Sequence, residues 1–260
     1  TGLSKSEVSR ICAELDEHME RFRNRPLEGE YPYVWLDAKA VRVREDGRVV
    51  HMAAVIAVGI RETGEREVLG YDVGAAETYE FWREFLRHLV ARGLKGVRLV
   101  ISDAHEGLKR AIAEVLAGAT WQRCRVHFMR NLLARVPKHA QSMVAALIRT
   151  IFAQPDRASA RQQLEQVAVG LERRFPQVAR RRREATEEVL AAIDFPPEHG
   201  RGSHTTNVRE RPKRERARRC AVVGLFPTVA AVRRLLAAPP GEGLGQWRHI
   251  RQASMANHRP

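Results

Sequence analysis

Two aspartates sit where the surrounding sequence is otherwise built for burial. Asp37 interrupts the strand-like segment YVWLDAK, and Asp103 closes the apolar run LVISD, 66 residues further on. A carboxylate in such a position has to be paired, protonated or bound to a metal, because an unpaired buried charge is too costly. Two of them brought to one spot offer hard oxygen ligands, the donor type that Mg2+ and Mn2+ take. A pair of such ions can activate water or a hydroxyl and stabilise the oxygen that leaves. Asp103 also has a simpler use open to it, as the N-cap of the helix that follows.

The two acids can meet only if the elements around them form one sheet. AVRVR alternates, EDGR is a turn, RVVHMAAVIAVGI is a β-branched apolar run, ETGE is a second turn and EVLGYDV a third strand. Together they read as an antiparallel meander. ETYEFWREFLRHLVARGL has helical period through Phe81, Phe85, Leu86, Leu89 and Val90. GVRLVISD is a short strand of the fully buried type, AHEGLKRAIAEVLA is a helix, and TWQRCRVHF opens with another short strand. This order, with one acid inside the first strand and another just past the fourth, is that of a ribonuclease H-like sheet. The expected fold class is α/β: a ribonuclease H-like mixed sheet flanked by helices, with the first strand central and the fourth beside it.

From about 126 to 194 the pattern is helical throughout, broken near Pro137, Pro155 and Pro176. PPEHGRGSH follows as a loop. Next comes TTNVRERPKRERARRC, with seven basic residues around Glu210 and Glu215, and VVGLFPTVAAVRRLLAA reads as a last helix entered after Pro227. At the other end, Val8, Ile11, Leu15 and Met19 recur at helical spacing. Ser4 or Ser6 can cap that helix, and Glu7 stands in the capping-box position relative to Ser4. Gly2 just ahead is placed as in the turn of a helix-turn-helix, which would put Lys5, Ser6, Ser9 and Arg10 at the end that touches DNA. An ordinary amphipathic helix is the alternative.

Composition narrows the partner. A formal charge of +14 over 260 residues favours a polyanion, most often nucleic acid. The longest apolar run, VVHMAAVIAVGI, is too short to span a bilayer, so no membrane partner is expected. Cys12, Cys124 and Cys220 are far apart and odd in number, which argues against a disulfide framework and fits a reducing cytoplasm.

Several segments carry a resemblance to a known family. YVWLDAK, REVLGYDVG, EFWREFLRHLVARGL, VRLVISDAHEGLKRAI, WQRCRVHFMRNLL and TTNVRER followed by VVGLFP resemble, in register, a bacterial insertion-sequence transposase of the Mutator-type superfamily. The resemblance runs up to about residue 236. It implies a ribonuclease H-like core with an all-helical insertion before a third acid, and an Asp/Asp/Glu triad that binds two Mg2+ or Mn2+ ions. Matched position by position, the triad falls on Asp37, Asp103 and Glu210. The family pattern around the third acid aligns with Thr206, Asn207, Glu210, Arg211, Glu215, Arg218 and Arg219, with Pro212 and Lys213 as departures. Cys124 and His127 match the family's Cys/Asp-x2-His signature. One Cys and one His cannot close a tetrahedral zinc site, so packing and contact with a flipped base both stay open as their role.

The resemblance divides the chain into a helix-turn-helix-like remnant of an N-terminal DNA-binding region over 1–30, a catalytic core over 31–125 and 200–238, a helical insertion over 126–199, and an irregular tail over 239–260. On this expectation the chain is a truncated copy. The implied function is DNA transposition: cleavage at element ends, then transfer of the freed strand into target DNA. Its partners would be the terminal inverted repeats, the target DNA and further copies of the chain, in a bacterial cytoplasm and on the nucleoid when DNA is bound. Lys5, Ser6, Arg10, Arg209, Arg211, Arg214 and Arg218 are the expected DNA contacts, and Asn207 belongs to the signature without an assigned role. A DNA-binding remnant without catalysis, and a nuclease that cuts but never joins, are the alternatives.

Overall fold

The computed structural model describes residues 4–176, 186–191 and 223–237. The first helix, α1 (Lys5–Asn24), starts on a complete capping box. Ser4 Oγ accepts from the Glu7 N–H at 3.2 Å, and the Ser4 N–H donates to the Glu7 carboxylate at 2.7 Å. Ser4 rather than Ser6 is therefore the cap. Lys5, Ser6 and Arg10 lie exposed on the first turns. Of the apolar stripe only Met19 is buried, while Val8 and Ile11 are 45% and 40% exposed.

Three strands follow as the expected meander: β1 (Tyr33–Glu45), β2 (Arg48–Ile60) and β3 (Arg66–Gly74). β1 pairs antiparallel with β2 without a break, from Tyr33 opposite Ile60 to Glu45 opposite Arg48. Asp46 and Gly47 join them with φ of 47° and 77°, the left-handed pair a two-residue hairpin turn requires. β2 and β3 are also antiparallel, with a register shift between Ala57 and Val58. Then come α2 (Tyr79–Ala91), capped by Thr78, β4 (Leu99–Ser102), α3 (Glu106–Val115) and β5 (Thr120–Arg123). The strands form one mixed sheet flanked by helices, in the order β3-β2-β1-β4-β5. β1 is central and β4 is its neighbour, as the sequence order requires.

The remaining described elements are helical: α4 (Arg125–Leu133), a short 3-10 turn (Lys138–Ala140), α5 (Gln141–Phe152), α6 (Arg157–Glu172), α7 (Thr186–Leu190) and α8 (Val229–Ala237). No helix among the described residues is long and apolar enough to cross a membrane.

The chain divides into two compact units. The first holds described residues 4–100, 105–119 and 223–237. Val41, Val43, Met52, Tyr71 and Val73 line one sheet face, and Met19, Phe226, Val232 and Leu236 close over it. Phe226 is stitched to β1 by its backbone, donating to Arg42 O at 2.9 Å and accepting from the Arg44 N–H at 2.8 Å. Arg234 of α8 grips the Asp16 carboxylate with two donors, at 2.7 and 2.5 Å, and Asp72 accepts from both Arg23 and Arg233 at 3.3 Å. Behind α1, Arg92 donates to the carbonyls of Leu69, Arg25 and Phe22 at 2.8, 2.9 and 3.3 Å. Burial pushes its guanidinium down to about 10. Gly93 beside it has φ +107°, and a Cβ there would stand 2.5 Å from Leu27 O, so no other residue fits without backbone movement.

The second unit holds described residues 101–104, 120–176 and 186–191. Its core is built by helical spacing: Phe128 and Leu132 of α4, Val144, Ile148 and Ile151 of α5, Leu164 and Leu171 of α6, and Val189 and Leu190 of α7. Asp156 caps α6, accepting from the Ser159 N–H at 2.8 Å. The Gln141 amide satisfies the carbonyls of Leu133 and Val136 at 2.9 and 3.0 Å where α4 ends and the chain turns.

Phe226 is 2% exposed and reaches the first core from a distant part of the chain. Phe226→Ala should cost about 3–5 kcal/mol, as large-to-small aromatic core changes do. Equilibrium urea unfolding reads this as a lower midpoint; an unchanged midpoint would contradict the docking of this segment on β1.

Candidate functional site

β4 carries the first piece of the site. Leu99, Val100, Ile101 and Ser102 are all buried, and the chain emerges from the sheet at Asp103, whose side chain is 51% exposed. The end of β4 is fastened to the end of β5. Ser102 Oγ accepts from Trp121 Nε1–H at 2.8 Å and donates to Asp103 O at 2.8 Å, and the Cys124 N–H donates to Ser102 O at 2.6 Å. Ser102 is wholly buried, and these bonds satisfy it.

α4 starts directly after Cys124 and places His127 in its first turn. The helix is held by Phe128, which is 3% exposed and whose N–H donates to Cys124 O at 2.9 Å. His127 Nδ1 then stands 3.0 Å from Asp103 Oδ1, with only 16% of the His127 side chain exposed. The Asp103 carboxylate holds the imidazole strongly towards its protonated form. Cys124 adds to the effect and burial opposes it, with the net result that the pKa is pushed up to about 10. The first turn of a helix normally disfavours a cation. The adjacent carboxylate outweighs that field.

The N-cap alternative for Asp103 is not what forms. α3 is capped by His105, whose Nδ1 accepts from the Leu108 N–H at 3.3 Å. Asp103 lies two residues earlier and engages His127 instead. The Cys124–His127 signature, for which packing and a flipped base were both open, thus has a third role in view, contact with one of the two acids. Sequence reasoning missed it. The usable signal was that β4 and β5 are sheet neighbours, so that the residue ending one strand and the first helical turn after the other emerge at the same edge.

Asp37 is on β1, opposite Ile56 of β2, and is half-buried. Glu210, Asn207, Arg209, Arg211, Arg214 and Arg218 lie outside the described residues. Among the described residues no group of three or more His, Cys, Asp or Glu is gathered to hold a metal ion.

The sequence profile of the family described as "Transposase, Mutator family" matches residues 1–249. The chain belongs to the Mutator family of transposases. Among its relatives is the transposase for insertion sequence element IS1081 of Mycobacterium tuberculosis, 44% identical over 95% of this chain and 60% of that protein. The transposase for IS406 of Burkholderia multivorans is 43% identical over 95% of this chain and 63% of that protein. The transposase for IS256 in transposon Tn4001 of Staphylococcus aureus is 33% identical over 91% of this chain and 61% of that protein. The chain therefore spans about three-fifths of the length of these Mutator-family relatives. A chain of the simian T-cell lymphotropic virus intasome in complex with PP2A regulatory subunit B56 gamma aligns with 47% of this chain and 50% of that one at a TM-score of 0.26 and 13% identity, too weak a likeness to inform the fold.

The sign of the His127 shift fixes its pH dependence. A raised folded-state value means the contact with Asp103 contributes stability fully below about pH 6.5 and loses it as pH rises through about 10. In a metal-free NMR titration the His127 ring signal should still be that of the protonated form at pH 8. A midpoint near 6.5 would contradict the contact.

Proposed function

We propose that this chain carries the catalytic part of a DNA transposase, with Asp37, Asp103 and Glu210 as its acidic triad. The observation that carries the reading is the sheet order: β1, which bears Asp37, and β4, which delivers Asp103, are neighbours, in a chain of the Mutator family. The half-exposed Asp103 and half-buried Asp37 offer carboxylate oxygens only, a donor set that suits Mg2+ or Mn2+ and not zinc. Divalent cations held there would supply Lewis-acid polarisation and charge neutralisation. The ribonuclease H-like character of the sheet, the helical insertion over 126–199 and the helix-turn-helix-like remnant over 1–30 belong to the same proposal.

The remaining chemistry falls to the chain's own groups. Asp37, Asp103 and Glu210 fix the site to which a terminal phosphodiester is brought. Arg209, Arg211, Arg214 and Arg218 neutralise phosphates around it, and Lys5, Ser6 and Arg10, exposed on α1, extend the contact. Water cleaves the strand in line and frees a 3′-hydroxyl. That hydroxyl then attacks a phosphorus of target DNA in line, forming the new P–O bond as the bond to the target strand's 3′-oxygen breaks and leaves a 3′-hydroxyl, with no covalent bond to the protein. Catalysis of this kind depends on placement and charge. Pairing of two element ends calls for more than one copy of the chain.

Asp37→Asn, Asp103→Asn and Glu210→Gln keep shape while removing charge. Each should lower Mg2+-dependent strand cleavage and joining by two orders of magnitude or more, about what the loss of one preorganised electrostatic group costs. A variant with undiminished activity would remove its residue from the triad. Cleavage without joined product would favour the nuclease alternative.

A further inference from the structure

The contact between Asp103 and His127 is more specific than core packing requires. Asp103 leaves a strand whose four residues are all buried, yet its own side chain is half exposed. A half-exposed carboxylate can take more than one orientation, and each contact it makes narrows that choice. His127 meets it at Oδ1, 3.0 Å away, from a side chain that is itself 16% exposed. The imidazole is in turn fixed by the fold. Its helix begins at a backbone whose N–H is tied to Ser102 O at 2.6 Å, and the adjacent Phe128 is sunk in the second core. Trp121 and Ser102 lock the two strand ends together at the same level. A ring supported from behind therefore faces a carboxylate that is half exposed to solvent.

We propose that His127 is a positioning residue for Asp103, holding the carboxylate by Oδ1 in one orientation so that the carboxylate can engage a divalent cation without first being ordered. This rests on the reading of Asp103 as a metal ligand. Carboxylate ligands are themselves held by hydrogen-bond donors, and removing such a donor weakens metal affinity about 10–100-fold. The role does not depend on the ring's charge. Nδ1 is the ring nitrogen that stands 3.0 Å from Oδ1, where its N–H is not aligned as a straight hydrogen bond in this structure, and imidazolium and the neutral tautomer protonated at Nδ1 both carry a hydrogen there. It assigns the histidine of the Cys124–His127 pair to the acid and not to zinc, for which one thiol and one imidazole are too few.

The test is Mn2+ binding by the 260-residue chain, read from the EPR signal of free Mn2+, with folding checked by circular dichroism. Asp103→Asn serves as the reference for a lost ligand. His127→Ala should weaken binding at least about tenfold. Asn at this position places its amide nitrogen where Nδ1 stood and should stay within about threefold of wild type, whereas Gln places it near Nε2 and should lose about as much as alanine. If His127→Ala does not fold, the Asn and Gln variants carry the same contrast. Unchanged affinity in folded His127→Ala, alongside lost binding in Asp103→Asn, would overturn the positioning role and leave the metal reading intact. Equal losses with Asn and Ala would also overturn it, because a donor at the Nδ1 position would then not matter. Unchanged affinity in Asp103→Asn would remove Asp103 as a ligand and the inference with it.

Discussion

The carboxylate of Asp103, at the mouth of a buried strand, is met by the His127 imidazole, and the elements of the second unit are arranged around that contact. β4 is only four residues long and wholly interior, and Asp103 leaves it half exposed, in water on one side and met on the other by a residue further along the chain. The partner comes from the first turn after the neighbouring strand. The backbone bond from Cys124 to Ser102 and the Trp121–Ser102 bond set the two strand ends level, and α4 then carries His127 to the acid. The helices after it, in turn, bury Phe128 and Leu132 and thereby hold α4. The acid, the strand pair and the helical unit thus form one dependency.

Much of the fold was legible because it is written in local patterns. The meander showed in alternation and in the Asp46–Gly47 turn, whose two left-handed residues few other pairs adopt. The cap of α1 showed in the spacing of Ser4 and Glu7, and the burial of β4 in its unbroken apolar run. What failed to show depends on distant residues. The bulge between Ala57 and Val58 is set by pairing with β3, and the seat of Phe226 on β1 joins residues far apart in the chain. Neither leaves a periodic trace. The site divides in the same way. Residue type and strand position singled out Asp37 and Asp103, while the His127 contact required knowing that β4 and β5 are neighbours.

Charge is handled differently in different parts of the chain. In the first unit many arginines are spent on structure: Arg23 and Arg233 share Asp72, Arg234 holds Asp16, and Arg92 is committed to three carbonyls. Asp16 offsets the charge of Arg234, whereas Arg23 and Arg233 share one carboxylate and Arg92 meets only neutral carbonyls, so these contacts place the arginines without cancelling all of their charge. The tract TTNVRERPKRERARRC, with seven basic residues against two acidic ones, lies outside the described residues.

Asp103, together with Asp37 of the neighbouring strand, is proposed above as a divalent-cation ligand. The most direct measurement is an anomalous-difference map from crystals of the chain soaked in Mn2+. On that proposal, peaks should appear within coordination distance of both carboxylates, with His127 behind Asp103 and not bound to the metal. Ordered aspartates without a peak between them, or a peak bound to His127 and Cys124 in their place, would contradict it.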